Sequence, residues 1–277
     1  MHLPRAVVAT ATALSLAAAI VGPVSAAHLT RLTGLTVNDS LVRFTPATAC
    51  DPTAPVKISG LAEGETILAI DERPATGALY GLGSTSRIYV LDAMTGVATA
   101  VGARSFTPAL SGSAFGFDFN PVVDRIRIVS DTGQNLRVHP DTGAVAFNDT
   151  SLAYAATDAN AGDMPGVVGA AYTNPDNDRT TGTTLYDIDA ASDRLVTQSP
   201  PNSGVLNTVG DTVKANSLTG FDIAPGNVAF VAFKATGGTR GCGATTLQTI
   251  DLATGSTTNS WSVGTGTPLR GIAVDLP

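Results

Sequence analysis

A unit of about 50 residues recurs along this chain, and the recurrence limits the folds that are open to it. Each copy centres on a short strand of alternating apolar residues, which stops at a turn rich in Asp, Thr and Gly. The copies align at Thr45, Asp92, His139, Asp189 and Asp251, so the steps between them are 47, 47, 50 and 62 residues. Five copies at such a period predict a repeat architecture in which each copy is one small sheet.

Each central strand has predicted neighbours in the same sheet. The strands before it are predicted at residues 32–37, 79–83, 125–130, 168–173 and 228–234. The strands after it are predicted at residues 55–60, 97–102, 144–148, 194–199 and 257–263. An opening strand ends at Pro in residues 67–74, 115–121 and 218–225, and residues 152–157 take that place in the fourth copy. The first copy has no opening strand of its own.

The last residues of the chain, 270–277, have the pattern of the missing opening strand. A C-terminal strand that completes the N-terminal sheet closes a ring and removes its open edges. A β-sandwich and an open β-solenoid are the alternatives, but neither explains why the last strand fits the missing position. The sequence therefore predicts an all-β fold, a five-bladed β-propeller of four-stranded blades, closed by the C-terminal strand completing the N-terminal blade.

Composition agrees with short strands and tight turns. Only 14% of the residues are charged, and there are 29 Gly among 277 residues. Long surface helices need more Glu, Lys and Arg than this chain has. The formal net charge of -7 also argues against a nucleic-acid partner, because phosphate binding needs clustered Lys and Arg.

The first 27 residues have the pattern of a secretory signal peptide. Arg5 precedes an apolar run at residues 6–21, and small residues follow, so cleavage is predicted after Ala26 or Ala27. A membrane anchor is the alternative, but the run is shorter than the roughly 20 residues that a spanning helix needs. We expect residues 28–277 to form a single β-propeller domain, secreted or periplasmic, with no membrane span in the mature chain.

Two cysteines, Cys50 and Cys242, remain after the signal. Export permits a disulfide. The predicted loops that carry them lie at opposite ends of their strands, while a bridge needs Cα atoms within about 7 Å. No disulfide is therefore predicted, unless the loop at residues 235–243 folds down along the edge of its blade.

Three opening strands place Asp at the third position before Pro, at Asp71, Asp118 and Asp222. Because side chains alternate along a strand, each shares a face with a small residue two positions earlier. We expect these Asp residues to line the central channel. A ring of carboxylates around a cation is one interpretation. The favoured one is that each Asp braces the backbone of a neighbouring blade.

Ligands of propellers usually bind at the loops of one face. The low-specificity candidates for ligand binding there are Arg104, Phe106, Asp131, Gln134, Asn135, Asp176, Asp178 and Arg179. The spacing of Asp176 and Asp178 suits calcium, but the loop lacks the Gly and the terminal Glu of an EF-hand. A solvated turn is the favoured interpretation of that loop, so calcium is only a weak candidate cofactor.

Arg125, Arg127 and Arg137 lie at alternate positions of two predicted neighbouring strands. Such a stripe can hold an anionic ligand. The favoured alternative is that these arginines pair with carboxylates of the protein, at Asp118, Asp124 or Asp131.

The near absence of histidine excludes much catalytic chemistry. The chain has His2 in the signal, His28 at its end and His139 before a turn. A Ser-His-Asp relay, a His-ligated zinc and a His general base therefore have no suitable residue. Glycoside hydrolysis by two carboxylates stays open. Aromatic platforms for sugars are scarce, however, because the chain has one Trp, at Trp261.

A resemblance supports the same fold. The segments GALYGLGSTSRIYVLD, SFTPALSGSAFGFDFNP, VDRIRIVSDTGQNLRVHPDTGAV, LAYAATDANAGDMPGVVGAAYTN and TLYDID occur between residues 77 and 189. They resemble the exported bacterial family catalogued as domain of unknown function 4394. The resemblance implies a propeller-like repeat and export, and it carries no activity or catalytic residue. We therefore expect a non-catalytic exported propeller that binds an unknown extracellular or periplasmic partner. The alternative is a carboxylate-based carbohydrate-active enzyme, a glycosidase or lyase, with calcium as a supporting ion.

Overall fold

The computed structural model describes residues 26–234 and 241–277. Its strands, in chain order, are β1 (Leu32–Thr36), β2 (Ser40–Phe44), β3 (Val56–Lys57), β4 (Ile67–Arg73), β5 (Ala78–Gly83), β6 (Arg87–Leu91), β7 (Ala98–Val101), β8 (Phe115–Asn120), β9 (Arg125–Ser130), β10 (Asn135–Val138), β11 (Val145–Asn148), β12 (Ala153–Tyr154), β13 (Val167–Tyr172), β14 (Leu185–Asp189), β15 (Arg194–Gln198), β16 (Val205–Asp211), β17 (Thr219–Ala224), β18 (Val228–Lys234), β19 (Thr245–Ile250), β20 (Thr257–Val263) and β21 (Leu269–Val274). A short helix α1 (Ala26–Leu29) precedes them, and 3₁₀ turns lie at Pro46–Thr48 and Pro201–Ser203.

These strands form five sheets arranged as the blades of a ring. Blade one is ordered β21-β1-β2-β3, blade two β4 to β7, blade three β8 to β11 and blade five β17 to β20. Blade four contains β13 to β16, with the short β12 added in parallel at its outer edge. The innermost strands β4, β8, β13, β17 and β21 contact one another around the central axis. The predicted five-bladed propeller is confirmed.

The C-terminal strand closes the ring as predicted. β21 pairs antiparallel with β1, with Leu32 opposite Val274 and Leu35 opposite Gly271. Residues from the two ends of the described chain therefore share one sheet. We call the face where the inner strands begin the upper face and the face where they end the lower face. Antiparallel order places the loops between second and third strands, with the links between blades, on the upper face.

The recurring turn ends the third strand of several blades by one local geometry. In the turn from Asp92, the N–H of Gly96 donates to the Asp92 carbonyl at 2.8 Å, and Gly96 has φ of 75°. The N–H of Gly143 donates in the same way to His139 at 2.9 Å, with φ of 67°. Glycine recurs here because side chains rarely tolerate a positive φ. The strong sequence signal of the repeat is thus turn chemistry.

The fourth blade differs from the prediction. Residues 152–157 were expected to open it, but β12 is a two-residue edge strand paired with β16. The inner strand is β13, which was predicted as the second strand of the blade, so β13 and the strands that follow it each lie one place further inward than predicted. The inner-strand pattern was not recognisable in this blade for two reasons. Ala171 stands where three other inner strands have Asp, and Pro175 follows it by four residues instead of three. With this strand in place, the inner-strand steps from Asp71 through Asp118, Ala171, Asp222 and Ala273 become 47, 53, 51 and 51 residues.

The two cysteines form a disulfide, so the expectation that they stay apart is wrong. Cys50 and Cys242 have Cα atoms 5.4 Å apart and are bonded. The prediction treated the strands of a blade as parallel to the axis, which holds only for the inner strands. Neighbouring strands rotate by about 20–25°, so the outer strand of a blade is turned by roughly 60–75° relative to the inner one. The end of β20 therefore reaches blade one, where the Gly264 N–H donates to the Ala49 carbonyl at 2.8 Å.

The described N-terminal residues pack beside this disulfide. Ala27 is buried in the hydrophobic cluster between blades one and five, and the His28 ring meets Trp261 edge-on at 5.5 Å. The segment predicted as a signal peptide lies at residues 1–27, and residues 1–25 are outside the described part of the chain, as are residues 235–240 of the predicted long loop. Among the described residues, no helix has the length and apolar character to cross a membrane.

Small residues allow the inner strands to converge. Ala69, Gly116, Gly169, Gly220 and Gly271 occupy equivalent positions two residues before the Asp or Ala described above. A Cβ at Gly116 would lie 2.6 Å from the Ala170 side chain, and one at Gly220 would lie 2.5 Å from the Ile272 nitrogen. Contacts this short force the neighbouring strand to move. The approach is looser at Gly271, where the nearest atom would be 3.7 Å away.

We predict that Gly220→Ala lowers the unfolding free energy by about 1–3 kcal/mol or more, because its Cβ overlaps backbone atoms that cannot relax cheaply. Gly271→Ala is the matched control. Its Cβ fits, and alanine lowers the entropy of the unfolded chain, so the change should be neutral or stabilising by up to about 1 kcal/mol. Urea unfolding of both variants measures the difference. Equal effects at the two positions would contradict the steric account.

The disulfide gives a second prediction. It links residues separated by 192 positions, and a cross-link over so long a loop restricts the unfolded chain strongly. The double variant Cys50→Ala with Cys242→Ala should lose about 2–5 kcal/mol of stability. Wild-type protein melted with a reductant should match it. Identical melting of wild type with and without reductant would show that the bond contributes nothing.

Candidate functional site

Three carboxylates converge in the channel just below the ring of small residues. Asp71, Asp118 and Asp222 are 6%, 4% and 5% exposed. One carboxylate oxygen from each lies within 4.8 Å of those of the other two. The position is set by the sequence, because these residues follow the ring of small residues by two places on three inner strands. The three residues lie on the inner strands β4, β8 and β17.

Each of these carboxylates accepts a hydrogen bond from the inner strand of the next blade. Asp71 Oδ2 accepts from the N–H of Phe119 at 2.8 Å, and Asp118 Oδ1 accepts from the N–H of Tyr172 at 3.1 Å. Asp222 Oδ2 accepts from the N–H of Val274 at 2.6 Å. Each bond spans one blade boundary in the same direction around the ring. This geometry agrees with the bracing interpretation of the sequence.

The second oxygens of two of these carboxylates are also engaged. Asp71 Oδ1 accepts from the N–H of Glu72 at 2.7 Å, and Asp222 Oδ1 from that of Ile223 at 2.6 Å. Oxygens that accept hydrogen bonds from backbone N–H groups have less capacity left to bind a cation. Calcium, for example, typically needs six to eight oxygen ligands. The three carboxylates are nonetheless the described group best placed to contribute oxygen ligands to a metal ion.

Burial dominates the protonation of this cluster. It raises the pKa of Asp71 well above its ordinary value, and the charge of Asp222 raises it further. The pKa of Asp118 is raised well above its ordinary value by burial first and by the charge of Asp71 second. Burial raises the pKa of Asp222 to about 7, against the lowering effect of the N–H groups of Val274 and Ile223. Near neutral pH the cluster therefore retains protons.

Little space surrounds the three carboxylates. The cavity inside the ring of small residues is about 10 Å³, which is at most the room of one water molecule. Above it, the upper mouth of the channel opens to a depression of about 190 Å³, whose lining combines apolar residues with polar ones such as Ser113, Ser217 and Arg270. Arg270 Nη1 donates to the Ile67 carbonyl at 2.9 Å, so this arginine also joins two blades. The ring of small residues therefore leaves no room for a sugar to pass from the upper mouth to the carboxylates.

Two of the candidate ligand residues on the upper face hold a blade link in place. Asp131 accepts from the N–H of Ser113 at 2.9 Å and from its hydroxyl at 2.6 Å. Gln134 Nε2 donates to the Ala109 carbonyl at 2.8 Å, and its Oε1 accepts from the N–H of Ser111 at 2.9 Å. These side chains order the segment that leads from blade two to blade three.

Other candidates on that side differ widely in exposure. Arg104 is exposed, whereas Phe106 is 5% exposed and belongs to the core between blades two and three. Asn135 is 1% exposed, and its side chain donates to the carbonyls of Thr150 and Pro201 at 3.0 Å each. Only Arg104 among these three offers a charged side chain to solvent.

The remaining candidates, Asp176, Asp178 and Arg179, lie on the lower face, and their predicted place on the upper face is wrong. Their loop joins β13 to β14, the first and second strands of blade four, because the strand order of that blade was shifted in the prediction. The Asp178 N–H donates to Asp176 Oδ1 at 2.9 Å, and Thr180 donates to Asp178 Oδ1 through its N–H at 2.9 Å. The carboxylates cap a local turn, and calcium binding there stays a prediction.

The arginine stripe is paired within the protein, but not with the carboxylates named from the sequence. Arg127 Nη1 donates to Asp149 Oδ2 at 2.7 Å, and Arg137 makes a two-pronged contact with the same carboxylate at 2.7 and 2.8 Å. Arg125 donates to the carbonyls of Val123 and Asp124. Sequence reasoning missed Asp149, whose only signal is its place directly after β11.

A second residue missed from the sequence is Asp187 on β14. Its side chain is fully buried, and neither carboxylate oxygen has a hydrogen-bond partner. Burial raises the pKa of Asp187 to about 8, the charge of Arg127 lowers it, and that of Asp189 raises it. The sequence gives no sign that this Asp is buried. It lies between Tyr186 and Ile188 in an alternating strand pattern, and the same pattern would fit an Asp that faces solvent.

The raised pKa values predict how stability depends on pH. The pKa of Asp222 is about 7 in the folded chain, whereas that of an Asp in an unfolded chain is about 3.9. The contribution of Asp222 to stability is therefore complete at low pH, below the unfolded value. That stability is lost as the pH rises through about 7, because the folded chain holds protons that the unfolded chain has released. The unfolding free energy should therefore be higher at pH 5 than at pH 8, by on the order of a few kcal/mol. Carboxyls such as Asp124 and Asp149, whose pKa is lowered, titrate below this window.

Urea unfolding at both pH values tests the prediction, with Asp222→Asn flattening the dependence and exposed Asp163→Asn leaving it unchanged. A protein that is equally stable at both pH values, or an Asp222→Asn variant with the wild-type slope, would contradict it.

Comparisons with known proteins agree with the geometry. Similar folds occur in the crystal structure of a nidogen/laminin complex (TM-score 0.52, 12% identity, 89% of this chain and 98% of that one covered). A structural genomics protein of unknown function from Bacteroides thetaiotaomicron VPI-5482 is also similar (TM-score 0.51, 15% identity, 88% and 64% covered). A third similar structure comes from work on the de novo evolutionary emergence of a symmetrical protein (TM-score 0.51, 12% identity, 90% and 99% covered). At these identities the likeness concerns the fold alone.

The sequence comparisons give the family. No curated protein matches this chain. Residues 40–273 match the family described as Domain of unknown function (DUF4394). The matched range includes strands of all five blades. The recurring turns, the inner strands with their small residues and the closing strand all lie within or at the edge of that range. This five-bladed propeller therefore belongs to the DUF4394 family.

Proposed function

We propose that this protein is a non-catalytic binding module that works outside the cytoplasm, attached to or interacting with the cell envelope. One observation carries the proposal: the carboxylates that converge in the channel accept backbone hydrogen bonds from the neighbouring blades. Their chemistry is used to hold the ring together. A rigid ring with ordered loops suits binding, because little conformational entropy is lost when a partner docks.

The enzyme alternative is weaker on geometric grounds. A glycosidase needs two carboxyl groups about 5–9.5 Å apart, on either side of a bond that the substrate brings between them. Asp71, Asp118 and Asp222 are nearly inaccessible, and the cavity at the ring of small residues is about 10 Å³. On the upper face, Asp131 is committed to Ser113. These facts favour binding over hydrolysis.

Export rests on two features. The pattern of residues 1–27 predicts a secretory signal. The disulfide between Cys50 and Cys242 suits an oxidising compartment, since cytoplasmic proteins keep their thiols reduced. The two together support a secreted or periplasmic location, and we expect the partner to be an extracellular or periplasmic molecule rather than a nucleic acid.

Co-sedimentation with isolated bacterial envelopes tests the proposal. We expect saturable binding of the purified protein, with no release of reducing sugar ends from envelope polysaccharide. Protein unfolded by heat is the negative control. Sugar release by wild type that disappears in Asp118→Asn would establish the enzyme alternative, and a lack of saturable binding would overturn the envelope-binding proposal.

A further inference from the structure

A pocket of about 160 Å³ lies between blades three and four on the lower face. Arg125, Arg127 and Arg137 all line it, together with Asn120, Tyr172 and Asn202. The three arginines meet there because of strand register. Arg125 pairs across the sheet with Asn120, and Arg127 pairs with Arg137, so all of these side chains leave the same face of blade three. The pocket is therefore a product of the sequence pattern of one blade.

The innermost arginine of the three is held rigidly. Arg127 is 2% exposed. Its Nη1 donates to Asn135 Oδ1 at 2.7 Å, its Nη2 to Asn202 Oδ1 at 2.8 Å, and its Nε to the Tyr172 hydroxyl at 3.3 Å. Such partners from two blades fix the guanidinium in one orientation. With the bond from Nη1 to Asp149, four of its five N–H groups are engaged, so Arg127 contributes mainly a fixed positive charge to the pocket.

The other two arginines complete a cationic wall. Arg137 is clamped by Asp149 and stacks on the Phe147 ring, with its guanidinium carbon 3.9 Å from the ring centre. Arg125 donates to backbone carbonyls, and among the described residues no carboxylate forms an ion pair with it. The nearby charge of Asp124 also acts on Arg125, but that carboxylate is bonded to Arg73, so Arg125 has no carboxylate of its own in the described part of the pocket.

The balance of charge in the pocket is positive. Three guanidinium groups face one ionised carboxylate, Asp149, whose pKa is lowered by its bonds to the arginines against the cost of burial. Asp187 lies near Arg127 but makes no hydrogen bond to it, and its raised pKa keeps it largely protonated at neutral pH. Asp124 is engaged by Arg73 through contacts of 2.5 and 2.8 Å. In an acidic protein, an excess of about two positive charges is concentrated at one partly enclosed place.

We propose that this pocket binds a doubly charged oxyanion, the phosphate or sulfate group of a small ester. Planar guanidinium forks match the oxygens of such groups, and several of them around one anion are the usual arrangement for it. The volume fits the anionic group with the first atoms of the molecule that carries it. Val123, half exposed at the pocket, offers an apolar contact for those atoms. The inference rests on the proposed binding function and names the chemistry of its ligand.

Isothermal titration calorimetry of the purified protein with inorganic phosphate, inorganic sulfate and acetate, in low salt at pH 7.5, tests the proposal. Phosphate or sulfate should bind at one site, and acetate at least about tenfold more weakly, because it carries a single charge. Arg125→Gln should lower the affinity about tenfold or more, since it removes a charge-assisted donor. Arg31→Gln is the matched control: Arg31 is exposed on the same face, two blades away, and its loss should change affinity less than about twofold.

The outcomes separate the ligand sources and the two proposals. Phosphate binding that weakens from pH 8 to pH 5.5, as the anion takes up a proton, identifies a dianion site if sulfate binding does not weaken over the same range. Protonation of Asp187 in this range can only strengthen the binding of either anion. Equal losses in Arg125→Gln and Arg31→Gln would reduce the effect to general screening and overturn the proposal, as would the absence of binding by both phosphate and sulfate. Neither result affects co-sedimentation with envelopes. Hydrolysis of a bound phosphate or sulfate ester would instead keep the pocket and overturn the non-catalytic function.

Discussion

The close approach of five inner strands at one axis is the constraint on which the rest of the structure depends. Even a methyl group overlaps the neighbouring strand at Gly116 and Gly220, and Ala69 is the largest residue at this position in any of the five strands. Once the strands are this close, backbone N–H groups of one blade face the next blade at the channel. A buried N–H without a partner costs free energy, so a short acceptor is needed just below the ring of small residues. Asp meets that need because its carboxylate reaches one strand across and no further.

An Asp that accepts from the next blade occurs three times in the ring, and Ala171 and Ala273 stand in the other two equivalent positions. Electrostatics explains the limit. Burial raises the pKa values of Asp71 and Asp118 first, and repulsion among three carboxylates whose oxygens lie within 4.8 Å of one another raises them further. Five would multiply the cost of burying like charges. The ring therefore combines polar bracing at three boundaries with apolar packing at two.

Most of the fold could be predicted from the sequence, because turns and inner strands are encoded locally. Turns that end in Thr-Gly need glycine for a positive φ and mark blades two, three and five, while inner strands need small residues and show them in every blade. Blade four escaped because its inner strand lacks the Asp and has its Pro one residue late. The disulfide escaped for another reason: sheet twist is cumulative over four strands, and no single residue records it. The sequence placed Cys50 and Cys242 in the correct loops, but it did not show that these loops meet.

The candidate site was less predictable, since partners between blades are fixed by registers that sequence spacing does not specify. The arginine stripe was visible, yet Asp149 and Asn202, which hold Arg127, come from separate segments 22 and 75 residues away. Strand pairing places Arg127 opposite Arg137, an arrangement that is costly unless an anion lies between them. Asp149 fills that role for the inner pair. Arg125, one pair further along the sheet, has no carboxylate bonded to it in the described chain, because nearby Asp124 is held by Arg73. This difference between Arg125 and the inner pair is the basis of the proposed anion site.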